Sequence, residues 1–68
     1  MITLTHMNGK TFVLNAEVIE TVERTPDTVI TLINGKKLVV KEDVEEVINK
    51  VIEYKRRIFE ILLEKREG

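Results

Sequence analysis

The fold is decided by two similar stretches: residues 3–14 read TLTHMNGKTFVL, and residues 29–40 read VITLINGKKLVV. In each stretch, Asn-Gly lies between short runs of β-branched and apolar residues, which favour β-strands. Asn-Gly is the strongest short-range signal for a type I′ hairpin, because both central residues of that turn need positive φ. The sequence therefore predicts two hairpins, with turns at Asn8-Gly9 and Asn34-Gly35.

The strands around these two turns are predicted at residues 2–7, 10–14, 28–33 and 36–41. Between the hairpins, Asn15 suits the cap of a single helical turn, and the β-branched residues within 19–25 predict a further strand. Pro26-Asp27 marks the tight turn that follows this strand. Together these segments predict a small antiparallel, five-stranded, curled sheet over residues 1–41.

From about residue 42 the spacing of apolar residues changes from two to 3.6, which is typical of a helix. Glu42 or Asp43 can cap this helix, and Lys65 and Arg66 complement the negative end of its dipole. We therefore expect one α+β domain over residues 1–68, in which the sheet is followed by one long amphipathic helix over residues 42–66.

The predicted helix is apolar over an unusually wide arc. One stripe is expected to pack on the sheet, and it consists of Val44, Val47, Ile48, Val51, Ile58 and Leu62. Further apolar residues widen the arc to about 200°, roughly twice what a core-facing helix needs. The alternative is that a short, curled sheet wraps around the helix. If the sheet does not cover it, the surplus apolar surface of the helix predicts an interface with a second copy or with another protein. The residues of this interface would be Ile52, Tyr54, Ile58, Phe59, Ile61, Leu62 and Leu63.

Composition gives no support for catalysis or for a bound cofactor. The chain has no cysteine, one histidine and three isolated glycines, so it offers no thiolate metal site and no glycine-rich phosphate loop. We expect a protein that is not an enzyme, with no catalytic, cofactor-binding or metal-binding residues. A core built from 68 residues is small, and self-association is a common source of added stability at this size.

Two other classes of partner need weighing. Lys10, Lys36, Lys37 and Lys41 cluster at the two hairpins as a candidate surface for nucleic acid, and the first three form the candidate hairpin surface. However, lysine also protects sheet edges, and the net charge is −1. The apolar and basic residues late in the helix suggest contact with a membrane surface, although glutamates neutralise much of their charge. No apolar run approaches the length of a membrane span, so a cytoplasmic location is expected.

Several segments carry a resemblance to a known family. Residues 1–5 lead into Asn8-Gly9, and residues 12–15 and 19–20 follow. Thr25-Pro26-Asp27-Thr28 and then Asn34-Gly35-Lys36-Lys37 complete the pattern. Together they resemble the small flagellar FlbD/SwrD family over nearly the whole chain. Ala16 stands where the family commonly has proline, a change that is compatible with a helical turn.

The resemblance implies a cytoplasmic protein that supports flagellar motor power in swarming and performs no catalysis. Its partners would be flagellar motor or stator proteins, at the inner face of the membrane near the flagellar base. The family has no established catalytic residues to carry over to this chain. The competing interpretation is a regulatory nucleic-acid-binding protein that acts on flagellar gene expression.

Overall fold

A computed structural model describes the backbone of residues 1–67 and the side chains of residues 1–65. The elements follow one another as β1 (Ile2–Thr5), β2 (Thr11–Leu14), a 3₁₀ turn (Ala16–Val18), β3 (Ile19–Arg24), β4 (Thr28–Leu32), β5 (Lys37–Val40) and α1 (Val44–Glu67). The chain is therefore α+β, with two antiparallel sheets and one C-terminal helix. The 3₁₀ turn confirms the predicted helical turn, and Asn15 Oδ1 caps it by accepting from the Glu17 N–H at 3.0 Å.

β1 and β2 pair antiparallel, and the connection between them differs from the predicted type I′ turn. The Gly9 N–H donates to the His6 carbonyl at 2.9 Å, and the His6 N–H donates to the Lys10 carbonyl at 2.8 Å. Gly9 has a φ of 90°, whereas Asn8 has negative φ and accepts from the Lys10 N–H through Oδ1 at 2.9 Å. This is the pattern of a three-residue loop with a glycine bulge, in which only glycine needs positive φ.

The second Asn-Gly turn repeats this geometry. The Gly35 N–H donates to the Leu32 carbonyl at 2.8 Å, and Gly35 has a φ of 88°. The Asn34 side chain accepts from the Lys36 N–H at 3.0 Å. The prediction of positive φ at both central residues is wrong for both turns. Because the wider loops use residues at the strand ends, all four hairpin strands, β1, β2, β4 and β5, are shorter than predicted.

The five strands do not form one continuous sheet, and the prediction of a single five-stranded sheet is wrong. β1 and β2 form one sheet, and the other has the order β3-β4-β5. An isolated bridge between His6 and Val40 joins the two, beside the hydrogen bond from the Lys41 N–H to the Thr5 carbonyl at 2.9 Å. The pairing stops there because the chain leaves β5 and turns into α1.

The start of α1 is fixed by a reciprocal capping box. Asp43 Oδ1 accepts from the Glu46 N–H at 2.8 Å, and the Asp43 N–H donates to Glu46 Oε1 at 3.4 Å. This exchange satisfies backbone groups at the helix start. Of the two predicted caps, Asp43 acts and Glu42 does not, so the helix begins at Val44 and not at residue 42.

The core lies between the two sheets and the first turns of α1. Its buried apolar residues are Ile2, Leu4, Ala16, Ile30, Val40 and Val47. From the helix, Val51 and Tyr54 add partial packing against this core. The strands have four to six residues, whereas the 24-residue helix extends for about 36 Å, so the helix outruns the sheets.

This mismatch in length corrects the predicted packing stripe. Ile58 and Leu62 were expected on the sheet, but both are exposed, and so is Ile48. Tyr54, which was expected in the surplus, packs against the core instead. The alternative of a sheet that wraps around the whole helix is wrong, because every residue from Lys55 to Lys65 is exposed.

Candidate interaction surface on the C-terminal helix

The strongest candidate site is the part of α1 that projects beyond the sheets, residues 55–65, here called the distal half. Its five apolar side chains are 43–61% exposed, and they are Ile58, Phe59, Ile61, Leu62 and Leu63. Ile52, one turn before the distal half, is also half exposed. Contiguous apolar patches beyond a few hundred Å² are uncommon on monomers, so this row of exposed side chains is the best candidate for a contact surface.

Of the seven residues predicted for this interface, six are therefore exposed on α1. Tyr54 alone is set apart, because its ring packs against the core while part of it lines the adjoining hollows. The tyrosine thus lies where α1 stops being supported by the sheets.

A groove of about 550 Å³ runs between the start of β1 and one side of α1. Met1, Ile2 and Thr3 form its β1 wall, and Ile58 and Ile61 belong to its helix wall. Polar side chains border the groove along the helix, namely Asn49, Lys50, Glu53 and Arg57. It is the larger of the two hollows beside the distal half, and we refer to it as the β1 groove.

The other hollow, of about 390 Å³, lies between the 3₁₀ turn and the helix. Glu17 supplies one wall, and Lys55, Phe59 and Leu62 contribute to the other. The distal half thus offers apolar contact on two sides, with polar residues at the borders. Such an arrangement suits an apolar helix or peptide, with specificity set by charges at the rim.

The hairpin lysines predicted as a second surface do not form one patch. Lys10 accepts from the His6 N–H through its carbonyl, at the end of the molecule where His6 bridges Val40. Lys37 pairs with Thr31 at the opposite end of β5, and its Nζ lies 3.4 Å from Thr31 Oγ1. Lys36 precedes it in the second turn, so the two turns present their lysines at separate places.

Phe12 on β2, whose ring could in principle stack on a base, already contacts another ring. The rings of Phe12 and His6 are stacked, with centroids 4.0 Å apart and planes inclined by 20°. Phe12 is also partly buried against the core. Platforms that bind single strands need exposed aromatic faces beside a basic groove, and these residues do not provide that combination.

Sequence reasoning missed the role of Glu42. Its Oε1 accepts from the Thr5 N–H at 2.9 Å, and its Oε2 accepts from Thr5 Oγ1 at 2.8 Å. Burial raises the pKa of Glu42, but the hydrogen bonds from Thr5 and the nearby charge of Lys50 outweigh it and leave the pKa below its ordinary value. The signal was present in the sequence: Asp43-x-x-Glu46 forms a complete capping box, which leaves Glu42 free for another role.

Within residues 1–67, no helix is both long and apolar enough to cross a membrane. No curated protein and no solved structure showed significant similarity to the chain. A sequence profile described as "FlbD: Flagellar and Swarming motility proteins" matches residues 1–59, which include both hairpins, the 3₁₀ turn and α1 as far as Phe59. The chain belongs to the FlbD family of flagellar and swarming motility proteins.

Proposed function

We propose that this chain supports flagellar motor power during swarming by binding another protein, without catalysis. The observation that carries the proposal is the row of exposed apolar side chains on the distal half of α1. Exposed apolar residues on a projecting helix favour helix-to-helix or helix-in-groove contact. Together with family membership, this makes a flagellar motor or stator protein the proposed partner, at the inner face of the membrane near the flagellar base.

A genetic test separates the proposed contact surface from the rest of the fold. Phe59→Glu and Leu63→Glu place charge on the distal half, more than a turn beyond Tyr54, the last helix residue packed on the core. We expect a deletion strain carrying either variant to lose swarming and motor torque, while the amount of protein in the cell is unchanged. The control is Val13→Glu, which makes the same kind of change at an apolar residue of β2 that is at least as exposed as Phe59 and Leu63.

Swarming at the wild-type level with both distal variants would contradict the proposal. A crosslinker placed at residue 63 should capture another protein in cells. Identification of the captured protein should show that it is a motor or stator protein.

The competing proposal, a regulator that binds nucleic acid, requires a basic surface. The separation of Lys10 from Lys36 and Lys37 favours the protein partner instead. Reversing the charge of these three lysines should leave flagellar transcript levels unchanged if a protein contact carries the function. A change in those transcripts without a change in motor binding would favour the regulator.

A further inference from the structure

One stripe of α1 changes its surroundings at Tyr54. Val47, Val51, Tyr54, Ile58 and Ile61 follow one another at spacings of four, three, four and three, the pattern of a coiled-coil seam. The first three pack against the core of their own chain, whereas Ile58 and Ile61 line the β1 groove and remain exposed. The helix thus carries a packing seam of which only half is covered.

Charges beside this seam distinguish the possible directions of a partner helix. Lys50, Arg57 and Glu64 recur every seven residues, so they lie on the same flank of the seam. The charge changes sign between Arg57 and Glu64. Within residues 1–65, neither of these two side chains is in an ion pair.

We infer that the seam is completed by the distal half of a second copy of this chain, running antiparallel. This inference rests on the proposed use of the distal half for protein contact. When Ile58 of one copy packs on Ile61 of the other, heptad geometry places Arg57 opposite Glu64 of the second copy. The two-fold symmetry of the pair forms this contact twice.

The parallel alternative lacks this match. In a parallel pair with the helices in register, the flank residue of one heptad meets a residue five positions later in the other helix. Lys50 would then face Lys55 of the second copy, and Arg57 would face Leu62. The charges therefore select the antiparallel arrangement.

The β1 groove provides space for the end of the second helix. In the antiparallel alignment, Lys65 of the second copy lies opposite Tyr54, where the groove begins between β1 and α1. The amine can lie against the tyrosine ring, and its methylene stem can cover apolar surface. The groove thus belongs to the same interface as the exposed half of the seam.

The exposed part of the seam is small, so the dimer is expected to be weak. Ile58, Ile61 and Leu62 expose about half of their surface, which places such a contact at the low end of specific interfaces. Ile52, Phe59 and Leu63 lie on another side of the helix and remain uncovered in such a dimer. They stay available to a flagellar partner.

Charge reversal tests the pairing directly. Arg57→Glu or Glu64→Arg turns both intermolecular attractions into repulsions, and we expect either change to weaken self-association of the full chain about tenfold. An equimolar mixture of the two variants should form a heterodimer, because both of its contacts are again attractive. The double variant Arg57→Glu/Glu64→Arg should dimerise like the wild type. Sedimentation velocity over micromolar to submillimolar concentrations gives the dissociation constants.

The matched control is Arg56→Glu, which reverses a neighbouring charge on the side of the helix away from the seam. Arg56 pairs with Glu53 of its own chain at 3.5 Å, so its reversal should leave dimerisation unchanged to within twofold. Circular dichroism checks that each variant keeps its helix. A monomeric wild type, a mixture of variants that fails to pair, or an equal effect of Arg56→Glu would overturn the inference.

The two proposals can fail separately. If the wild type is monomeric while Phe59→Glu and Leu63→Glu still abolish swarming, the dimer is wrong and the proposed function stands. If the dimer forms as described while all distal variants swarm normally, the proposed function is wrong and the pairing stands.

Discussion

At the scale of single residues, Glu42 joins β1 to the start of α1. Its carboxylate accepts two hydrogen bonds from Thr5, one from the backbone N–H and one from the hydroxyl. Thr5 uses its carbonyl for Lys41, so both of its backbone polar groups are satisfied on the side away from β2. The Glu42 side chain thus provides Thr5 with a hydrogen-bond partner at the point where backbone pairing with β5 ends.

We expect Glu42→Gln to lower the free energy of unfolding at neutral pH by about 1–2 kcal/mol, because hydrogen bonds to a charged acceptor are stronger than those to an amide. Urea unfolding followed by circular dichroism measures the change. Glu45→Gln is the matched control, since Glu45 forms only an exposed ion pair with Arg24 at 2.9 Å. Its loss should cost less than about 0.5 kcal/mol.

The effect of Glu42 should also depend on pH in a definite direction. Its pKa is lower in the folded chain than in the unfolded chain, so its contribution is present above the unfolded pKa. That contribution is lost as the pH falls through the folded pKa. The difference between wild type and Glu42→Gln should therefore shrink progressively below about pH 5. A difference that stays constant down to pH 2 would show that the charge has no role.

At the scale of elements, α1 consists of two parts with different roles. Residues 44–54 supply Val47, Val51 and Tyr54 to the core, and residues 55–65 are exposed throughout. The capping box at Asp43 and Glu46 fixes where the first part begins. The second part continues the helix past Tyr54, and its apolar side chains remain about half exposed.

Ending the chain after Tyr54 should separate these roles. We expect the sheets to remain folded, with the free energy of unfolding lowered by less than about 1 kcal/mol, because the buried residues all lie at or before Val47. Self-association should be lost. Amide dispersion in NMR spectra and urea unfolding report on the fold, and sedimentation reports on association.

A chain that ends after Lys65 is the control for this truncation, because it keeps the whole distal half. It should associate like the full chain. If the chain ending at Tyr54 were unfolded, the distal half would have to stabilise the domain itself, which its exposure does not indicate.

At the scale of the whole molecule, a small core is joined to a long projection. The molecule measures 46 × 23 × 18 Å, and the 24-residue helix is about 36 Å long. Domains of this size bury a smaller fraction of their surface than larger ones. Burying the distal half against a second copy would therefore add stability where the chain has little to spare.

Mass action makes this stabilisation measurable. If the chain dimerises, its Tm should rise with protein concentration, because the folded dimer is favoured over the unfolded monomer. The Tm of Arg57→Glu should vary much less over the same range, as measured by differential scanning calorimetry. A Tm of the wild type that does not change with concentration would argue against any coupling between association and folding.

Features that depend on neighbouring residues could be predicted from the amino-acid sequence. The two Asn-Gly segments predicted chain reversals between short strands, and Asn15 predicted the helical turn after β2. The change in the spacing of apolar residues near residue 42 predicted α1. Each rests on local chemistry, such as positive φ at glycine or a side chain that caps a helix. The family could also be recognised from the sequence, because the resemblance lies in short segments with fixed spacing.

Features that depend on contacts between distant residues could not be predicted and were found in the three-dimensional structure. The strands form two sheets and not one, because within residues 1–67 the only bridge between the two sheets is the isolated one from His6, just after β1, to Val40 at the end of β5. The structure shows that Glu42 accepts a hydrogen bond from Thr5. It also shows that Tyr54 packs against the core, whereas Ile58 and Leu62 are exposed. The physical reason is length: periodicity shows which side of a helix is apolar, but the reach of short strands decides how much of that side is covered.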